Sequence, residues 1–352
     1  MAFRLGRSHV YGRDGRILLS RSRDGGESWD TREIIHTPER FVRYEGSYEL
    51  VSDDRDPSLT TLSNGEILLS WFHWGDGDRD APTSSIYVSR SKDNGENWSK
   101  PQMIFFNAAT SDAVLEIKNG VLLLPAYGSL GDEFSSAFLI KSEDYGKTWS
   151  KEVIIIAKGR EFGFSFYEPA ITKIGKDKLL CVLRTSTGIL YESRSEDGGE
   201  NWTKPKALPF YGHCPDLLTL KNGRVILTFR DIELYEKEKW FWEKLLYNLG
   251  LRDIAPTSPP PQTKSLPEAV AMVEAFPPEY DFKKSEKRII YEPRGYRTEN
   301  GDLLFGDAGY PSAIELKENK IMIVFYEAPY GYGGRYAPWS EIIGTIITLS
   351  RG

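Results

Sequence analysis

Four stretches share one spelling: SRDGGESW (22–29), SKDNGENW (91–98), SEDYGKTW (142–149) and SEDGGENW (195–202). Each reads Ser-x-Asp-x-Gly-x-[Ser/Thr/Asn]-Trp, and each follows a strand-like run: ILLSR, IYVSR, AFLIK or ILYES. The chemistry is that of a tight hairpin. Aspartate accepts backbone N–H bonds inside the turn, glycine permits positive φ, and tryptophan packs beneath. One copy would say little; four after similar strands define a repeat.

A second register lies between these turns. NGEILLSWF (64–72), NGVLLLPAY (119–127), KDKLLCVLR (176–184), NGRVILTFR (222–230) and ENKIMIVFY (318–326) are each a turn followed by a nearly continuous apolar strand. Such strands are buried on both faces, as in stacked sheets. A further strand starts eight residues before each turn: DPSLTTL, SDAVLEI, EPAITKI, CPDLLTL and YPSAIEL. The unit is therefore strand, turn, strand, loop, strand, Asp-turn, strand, which predicts an all-β, six-bladed β-propeller. Blades are expected at 1–50, 51–107, 108–162, 163–210, 211–306 and 307–352, in a single domain over 1–352. The first is incomplete: Phe3-Arg4 falls where a second strand should be ending, so the inner strand is missing.

Residues 232–305 break the rhythm and are read as an insertion within blade five. IELYEKEKWFWEKLLYNLG has a helical, amphipathic pattern, and APTSPPPQTK follows as a Pro-rich linker. The insertion leaves beside Arg230, so it is expected to wall or cover a pocket on that side.

Composition narrows the function. A net charge of -6, from 51 acidic and 45 basic residues, is no polyanion-binding surface, and no nucleic-acid partner is expected. With 40% hydrophobic and 27% charged residues the chain is not disordered. No apolar run approaches the ~20 residues of a membrane helix. Cys181 and Cys214 alone make no disulfide framework, and no Cys/His set has zinc spacing, so neither metal nor other cofactor is expected. MAFRLGRSHV has no signal-peptide core. The missing inner strand nevertheless leads to the expectation of a truncated N-terminus, which leaves the compartment open.

Propeller geometry sorts the residues by face. The Asp-turns lie underneath, so Asp24, Asp93, Asp144 and Asp197 are read as structural. On top, first strands start at Asp56, Ser111, Glu168, Cys214 and Tyr310, and second strands end at Arg4, Phe72, Tyr127, Arg184, Arg230 and Tyr326. Three arginines thus share one position, and their guanidinium forks suit a carboxylate. Arg55, Tyr127, His213 and Asp216 join Arg4, Arg184 and Arg230 as candidate substrate-binding residues.

The repeated Asp-boxes and six blades resemble the sialidase (neuraminidase) superfamily, particularly its bacterial BNR-repeat members. The resemblance covers nearly the whole chain outside 232–305. It implies an arginine triad holding a substrate carboxylate, here Arg4, Arg184 and Arg230. It implies a tyrosine nucleophile at Tyr310, in GYPSAIEL, and an activating glutamate at Glu168, in YEPAI. The family's acid/base aspartate would precede the first Asp-box by about eight residues, where this chain has Arg16. His9 is a substitute, since its unperturbed pKa is near 6.5. Asp14 is near as well, and Asp54, Asp56, Asp76, Asp78 and Asp80 supply further carboxylates. The resemblance implies retaining exo-hydrolysis of an acidic, sialoside-like sugar on a glycan, without cofactor. Another glycosidase or lyase on the same scaffold, or a non-catalytic carbohydrate-binding propeller, stays open.

Overall fold

In a computed structural model the structure describes residues 1–6, 14–44, 46–233, 268–293, 295–297, 303–305, 307–328 and 341–350. Strands dominate. Apart from them, these residues hold one short α-helical turn, Gly159–Phe162, and a 3-10 turn, Phe282–Lys284. No helix among the described residues is long and apolar enough to cross a membrane. The chain divides into two compact units, Met1–Ser186 with Glu192–Lys206, and Thr187–Tyr191 with Ala207–Gly352.

The first unit is a series of antiparallel sheets in chain order. β1 (Ala2–Leu5), β2 (Arg16–Arg21) and β3 (Asp30–Ile35) form a three-stranded sheet, and β4 (Arg40–Tyr44) pairs with β5 (Ser47–Val51) as a hairpin. β6 (Asp53–Thr61), β7 (Ile67–Asp78), β8 (Ala81–Ser91) and β9 (Gln102–Phe106) form a four-stranded sheet. So do β10 (Leu115–Lys118), β11 (Val121–Gly128), β12 (Ser136–Ser142) and β13 (Val153–Ala157). β14 (Phe166–Lys173) then pairs with β15 (Leu179–Thr185), and β16 (Ile189–Ser195) follows. Apolar faces close between successive sheets: Ile17 and Ile35 pack with Leu69 and Trp71, while Leu68, Phe72 and Ile86 pack with Leu122, Leu124 and Phe138.

The second unit has β17 (Lys206–Thr219), β18 (Val225–Asp231), β19 (Ala269–Ala275) and β20 (Arg288–Tyr291) paired in that order. A small hairpin follows, β21 (Gly295–Arg297) with β22 (Leu303–Phe305). β23 (Asp307–Lys317), β24 (Lys320–Ala328) and β25 (Glu341–Thr348) make a three-stranded sheet. Its core joins Ile226, Val270 and Met272 to Ile321, Ile323 and Phe325.

One expectation needs correcting. The interruption read as 232–305 is shorter, because β19 and β20 inside it are the third and fourth strands of the β17–β20 sheet. Their connection, 276–287, lacks the Ser-x-Asp-x-Gly spelling, so the repeat could not be recognised there. The predicted helix and Pro-rich linker (234–267) and His9 lie outside the described residues. The β4–β5 hairpin was not anticipated; it is anchored on the long β7–β8 hairpin by Arg43 N–H to the Arg79 carbonyl (2.7 Å) and Arg40 to the Gly77 carbonyl (2.8 Å).

The four turns close as their spelling requires. Asp93 accepts the Asn97 amide (2.8 Å) and side chain (2.7 Å), and the Gly95 N–H donates to Ser91 Oγ at 2.7 Å. Asp144 accepts Thr148 N–H at 2.9 Å, Asp197 accepts Asn201 N–H at 2.9 Å, and Asp24 accepts Ser28 N–H at 3.0 Å. These donors hold Asp93 and Asp197 down at about 2 and lower Asp24 and Asp144 as well. The cation preceding each of the first three turns reaches the next one: Arg21 pairs with Glu96, Arg90 donates to the Tyr145 carbonyl (2.8 Å), and Lys141 pairs with Glu200 (2.7 Å). Neighbouring sheets are thereby tied turn to turn.

Asp144→Ala is expected to cost about 1–3 kcal/mol of stability at neutral pH, read by denaturant titration. A folded-state pKa below the unfolded value of about 3.9 gives stability that is present above that value and lost as pH falls through the folded one. The gap between wild type and variant should therefore shrink in acid; a gap that widens contradicts the assignment.

Candidate functional site

One backbone device recurs where first strands begin. Asp56, Glu168, Cys214 and Tyr310 have φ of 48°, 44°, 51° and 49°. Each precedes a proline: Pro57, Pro169, Pro215 and Pro311. Each also sits in a one-residue bulge. Arg55 pairs with Phe72 but Ser58 with Ser70; the same slip separates Tyr167↔Arg184 from Ala170↔Val182, His213↔Arg230 from Asp216↔Thr228, and Gly309↔Tyr326 from Ser312↔Val324. Left-handed backbone at a bulky residue costs about 1–3 kcal/mol, and proline restricts the residue before it further. A bulge re-aims the side chain it carries. Four copies at one register mean that each sheet spends strain on presenting this one side chain.

In the first unit the device gathers charge. Arg4 Nε donates to Asp53 Oδ1 at 2.6 Å, and Arg55 Nη1 to Asp53 Oδ2 at 3.2 Å. Arg184 Nη1 donates to Glu168 Oε1 at 2.7 Å, and Arg184 lies over the Tyr167 ring, 5.7 Å from its centroid. Tyr127 meets Tyr167 edge to face at 5.8 Å. Burial pushes Asp56 up to about 6; Arg55 and Arg4 pull it down, and Glu168 and Asp53 push it further up. Burial also raises the Tyr127 phenol well above its usual range, with Glu168 and Asp56 adding to the effect. Arg4, Arg55, Asp56, Tyr127, Glu168 and Arg184, drawn from five strands, thus act on one another.

The β10–β13 sheet departs from the register. Ser111 has no positive φ, no proline follows it, and Tyr127 bridges Ala109 instead. Asp54 is fully buried and occupied: it accepts Thr37 N–H (3.0 Å) and Trp71 Nε1–H (2.9 Å), with His73 Nδ1 at 3.1 Å. Asp76 takes the Tyr87 hydroxyl (3.0 Å), Asp78 takes the Asp80 amide (2.8 Å), and Asp80 takes the Tyr48 hydroxyl, so these carboxylates brace the hairpins.

In the second unit Arg230 pairs with Glu268 at 3.3 Å, donates to Tyr326 Oη at 2.5 Å and lies over that ring. Gly309 makes this possible, since a Cβ there would fall 2.3 Å from Arg230 Nη2. Tyr310 lies beside Tyr326, ring centroids 6.2 Å apart. His213 pairs across from Arg230 in the strand register. Asp216 Oδ2 accepts the Ala313 N–H at 3.0 Å, which ties β17 to β23. Burial carries it to about 7, against the pull of the Ala313 amide and the nearby Thr228 hydroxyl. A groove lined by Glu274, Phe276, Glu279 and Arg288 opens at the far ends of these strands from Arg230; its buried Glu274 is already paired with Arg224 (3.0 Å) and Arg288 (3.3 Å). Glu168 falls in the first unit and Tyr310 in the second. Asp53, Tyr167 and Glu268 were missed in the sequence; for Asp53 the signal was the run DDRD itself.

Residues 1–239 match the model of the BNR repeat-like domain, which fixes the class. The chain belongs to the BNR repeat-like family. It is similar to a sialidase of Bacteroides fragilis, 24% identical over 58% of this chain, and spans 41% of that relative's length. A protein of unknown function from Dyadobacter fermentans has the same fold, with a TM-score of 0.70, 20% identity, and 97% of this chain and 86% of that one covered. The intramolecular trans-sialidase of Ruminococcus gnavus, solved with oseltamivir carboxylate, superposes with a TM-score of 0.60, 13% identity, and coverage of 96% and 88%. A Streptococcus pneumoniae sialidase gives 0.57 at 13%, over 96% and 63%. The fold is all-β, and its structural neighbours include sialidases.

Asp216 gives a pH prediction. With a folded pKa near 7 and an unfolded one of about 3.9, its contribution to stability is full below ~3.9 and lost as pH rises through 7. Asp216→Asn, which keeps an oxygen for Ala313, should gain in melting temperature relative to wild type between pH 5 and pH 8. An equal or falling difference contradicts the burial argument.

Proposed function

We propose that the chain is a sialidase-like glycoside hydrolase: one six-bladed propeller over 1–352 with Asp-box turns, its first blade incomplete, that removes an acidic sugar from a glycan end with retention. The observation that carries this is the repeated strained bulge, which places Asp56, Glu168 and Tyr310 at one position of three sheets. Arg184 and Tyr326 stand opposite in register, as does Arg230 opposite His213.

The roles follow from chemistry. A sialoside-like anomeric carbon bears its own carboxylate, which repels an anionic nucleophile. Tyr310, neutral until a general base takes its proton, attacks without that penalty and forms a glycosyl-enzyme bond that water later breaks; the family resemblance assigns the base to Glu168. Asp56 donates the proton to the leaving oxygen and takes one from the incoming water. A carboxyl near 6 suits both steps, which makes it a better acid than the occupied Asp54. The family resemblance assigns Arg4, Arg184 and Arg230 to the sugar carboxylate, and Arg55 and Tyr127 stand with Arg4 and Arg184 in the first unit.

One observation favours a second reading. Arg4 is closed on Asp53, Arg184 on Glu168 and Arg230 on Glu268, so all three guanidiniums already hold a carboxylate. On that reading the substrate is a neutral or uronate-like glycan. A panel of chromogenic glycosides decides: the first reading expects turnover of an α-sialoside with retention, the second turnover of a glucuronide or neutral glycoside only. Tyr310→Phe should lower kcat roughly 10³-fold or more while ligand still binds. Arg184→Lys should raise KM for the acidic substrate through loss of the fork. An active Tyr310→Phe variant sinks the nucleophile assignment.

A further inference from the structure

Asp53 opens β6 with no exposed surface, yet both of its oxygens are engaged by guanidiniums. Oδ1 takes Arg4 from β1 at 2.6 Å, and Oδ2 takes Arg55 from its own strand at 3.2 Å. The backbone is shaped around it. Gly15 bridges Asp53 in a parallel step, with Gly15 N–H on the Ser52 carbonyl (2.7 Å) and Asp54 N–H on the Gly15 carbonyl (3.2 Å). A Cβ on residue 15 would fall 1.9 Å from Asp53 Oδ1, so only glycine leaves the carboxylate its place. Gly6 does the same for Arg4, whose Nη2 would lie 2.6 Å from a Cβ there. Arg55 is fixed on its other side by the Phe72 ring, 5.8 Å away.

Buried charge is retained only where partners compensate it, and removing one partner leaves the others exposed to each other's field. Arg4, Arg55 and Asp53 form such a set, and Asp56 is the next ionisable group along the strand. The charges acting on Asp56 are Arg55 and Arg4, which favour its ionised form, and Glu168 and Asp53, which oppose it; the Tyr127 phenol shares the same field.

We propose that Asp53 is a positioning residue of this site: its two oxygens hold Arg4 and Arg55 in place, and it balances their charge where Asp56 must keep and release a proton. This rests on Asp56 being the acid of the proposed reaction, but its test does not need turnover. Carboxyl ¹³C resonances of the full chain, with Asp56 assigned by its loss in Asp56→Asn, give the Asp56 titration midpoint without ligand. Asp53→Asn keeps the shape and removes the charge. Two guanidiniums then lose the carboxylate between them, and the Asp56 midpoint should fall by about one pH unit or more. An unchanged or raised midpoint in folded Asp53→Asn overturns the proposal. Should that variant not fold, Arg55→Gln replaces it: loss of one guanidinium must raise the midpoint, and an unchanged or lower midpoint overturns the proposal equally. A shifted midpoint in a chain inactive on every glycoside supports the role of Asp53 and sinks the hydrolase reading separately.

Discussion

The site depends on a proline-locked bulge. In a regular strand, neighbouring side chains alternate faces, and the residue before a proline stays extended. At Asp56, Glu168, Cys214 and Tyr310 the chain does neither: φ is positive, and one residue is left over in the pairing. At about 1–3 kcal/mol each, four such residues are a large charge against a marginal total stability. They persist because strand pairing on both sides of the bulge over-determines them. What is gained is orientation, since an acid, a second carboxylate, a thiol and a phenol leave their strands at the same register.

Stability is supplied at the other ends of the strands. Asp-turns close hairpins through local hydrogen bonds, and cations such as Arg90 and Lys141 tie one turn to the next. Carboxylates reach between sheets as well. Asp112 takes the Ile171 N–H (2.8 Å) and Asp216 the Ala313 N–H (3.0 Å), while Glu116 takes Ser63 N–H (2.7 Å) and Glu315 takes Lys221 N–H (2.9 Å). The paired positions correspond in the two units. Separating the ends lets one end of the sheets carry strain while the other resists it.

What was legible in the sequence was local. The Asp-turns act within eight residues, so their spelling alone located them, and the strand-start register carried Glu168 within reach of Arg184 and Tyr310 near Tyr326. The third and fourth strands of the β17–β20 sheet were hidden because their connection lacks that spelling. The clasp on Asp53 was hidden for another reason: Arg4 is 49 residues away, and no spacing rule links them. The bond from the Ala313 amide to the Asp216 carboxylate was hidden in the same way, since 97 residues separate the two. The bulges themselves were announced by the Asp-Pro, Glu-Pro, Cys-Pro and Tyr-Pro pairs, which the strand pattern alone could not interpret.

The central claim is that Tyr310 becomes bonded to the sugar. Incubation of the full chain with 2,3-difluoro sialic acid, which slows release of a glycosyl-enzyme, followed by proteolysis and mass spectrometry, tests it most directly. The account predicts one sugar per chain, on the peptide carrying Tyr310, and none in Tyr310→Phe. A chain that stays unlabelled, or is labelled elsewhere, contradicts it.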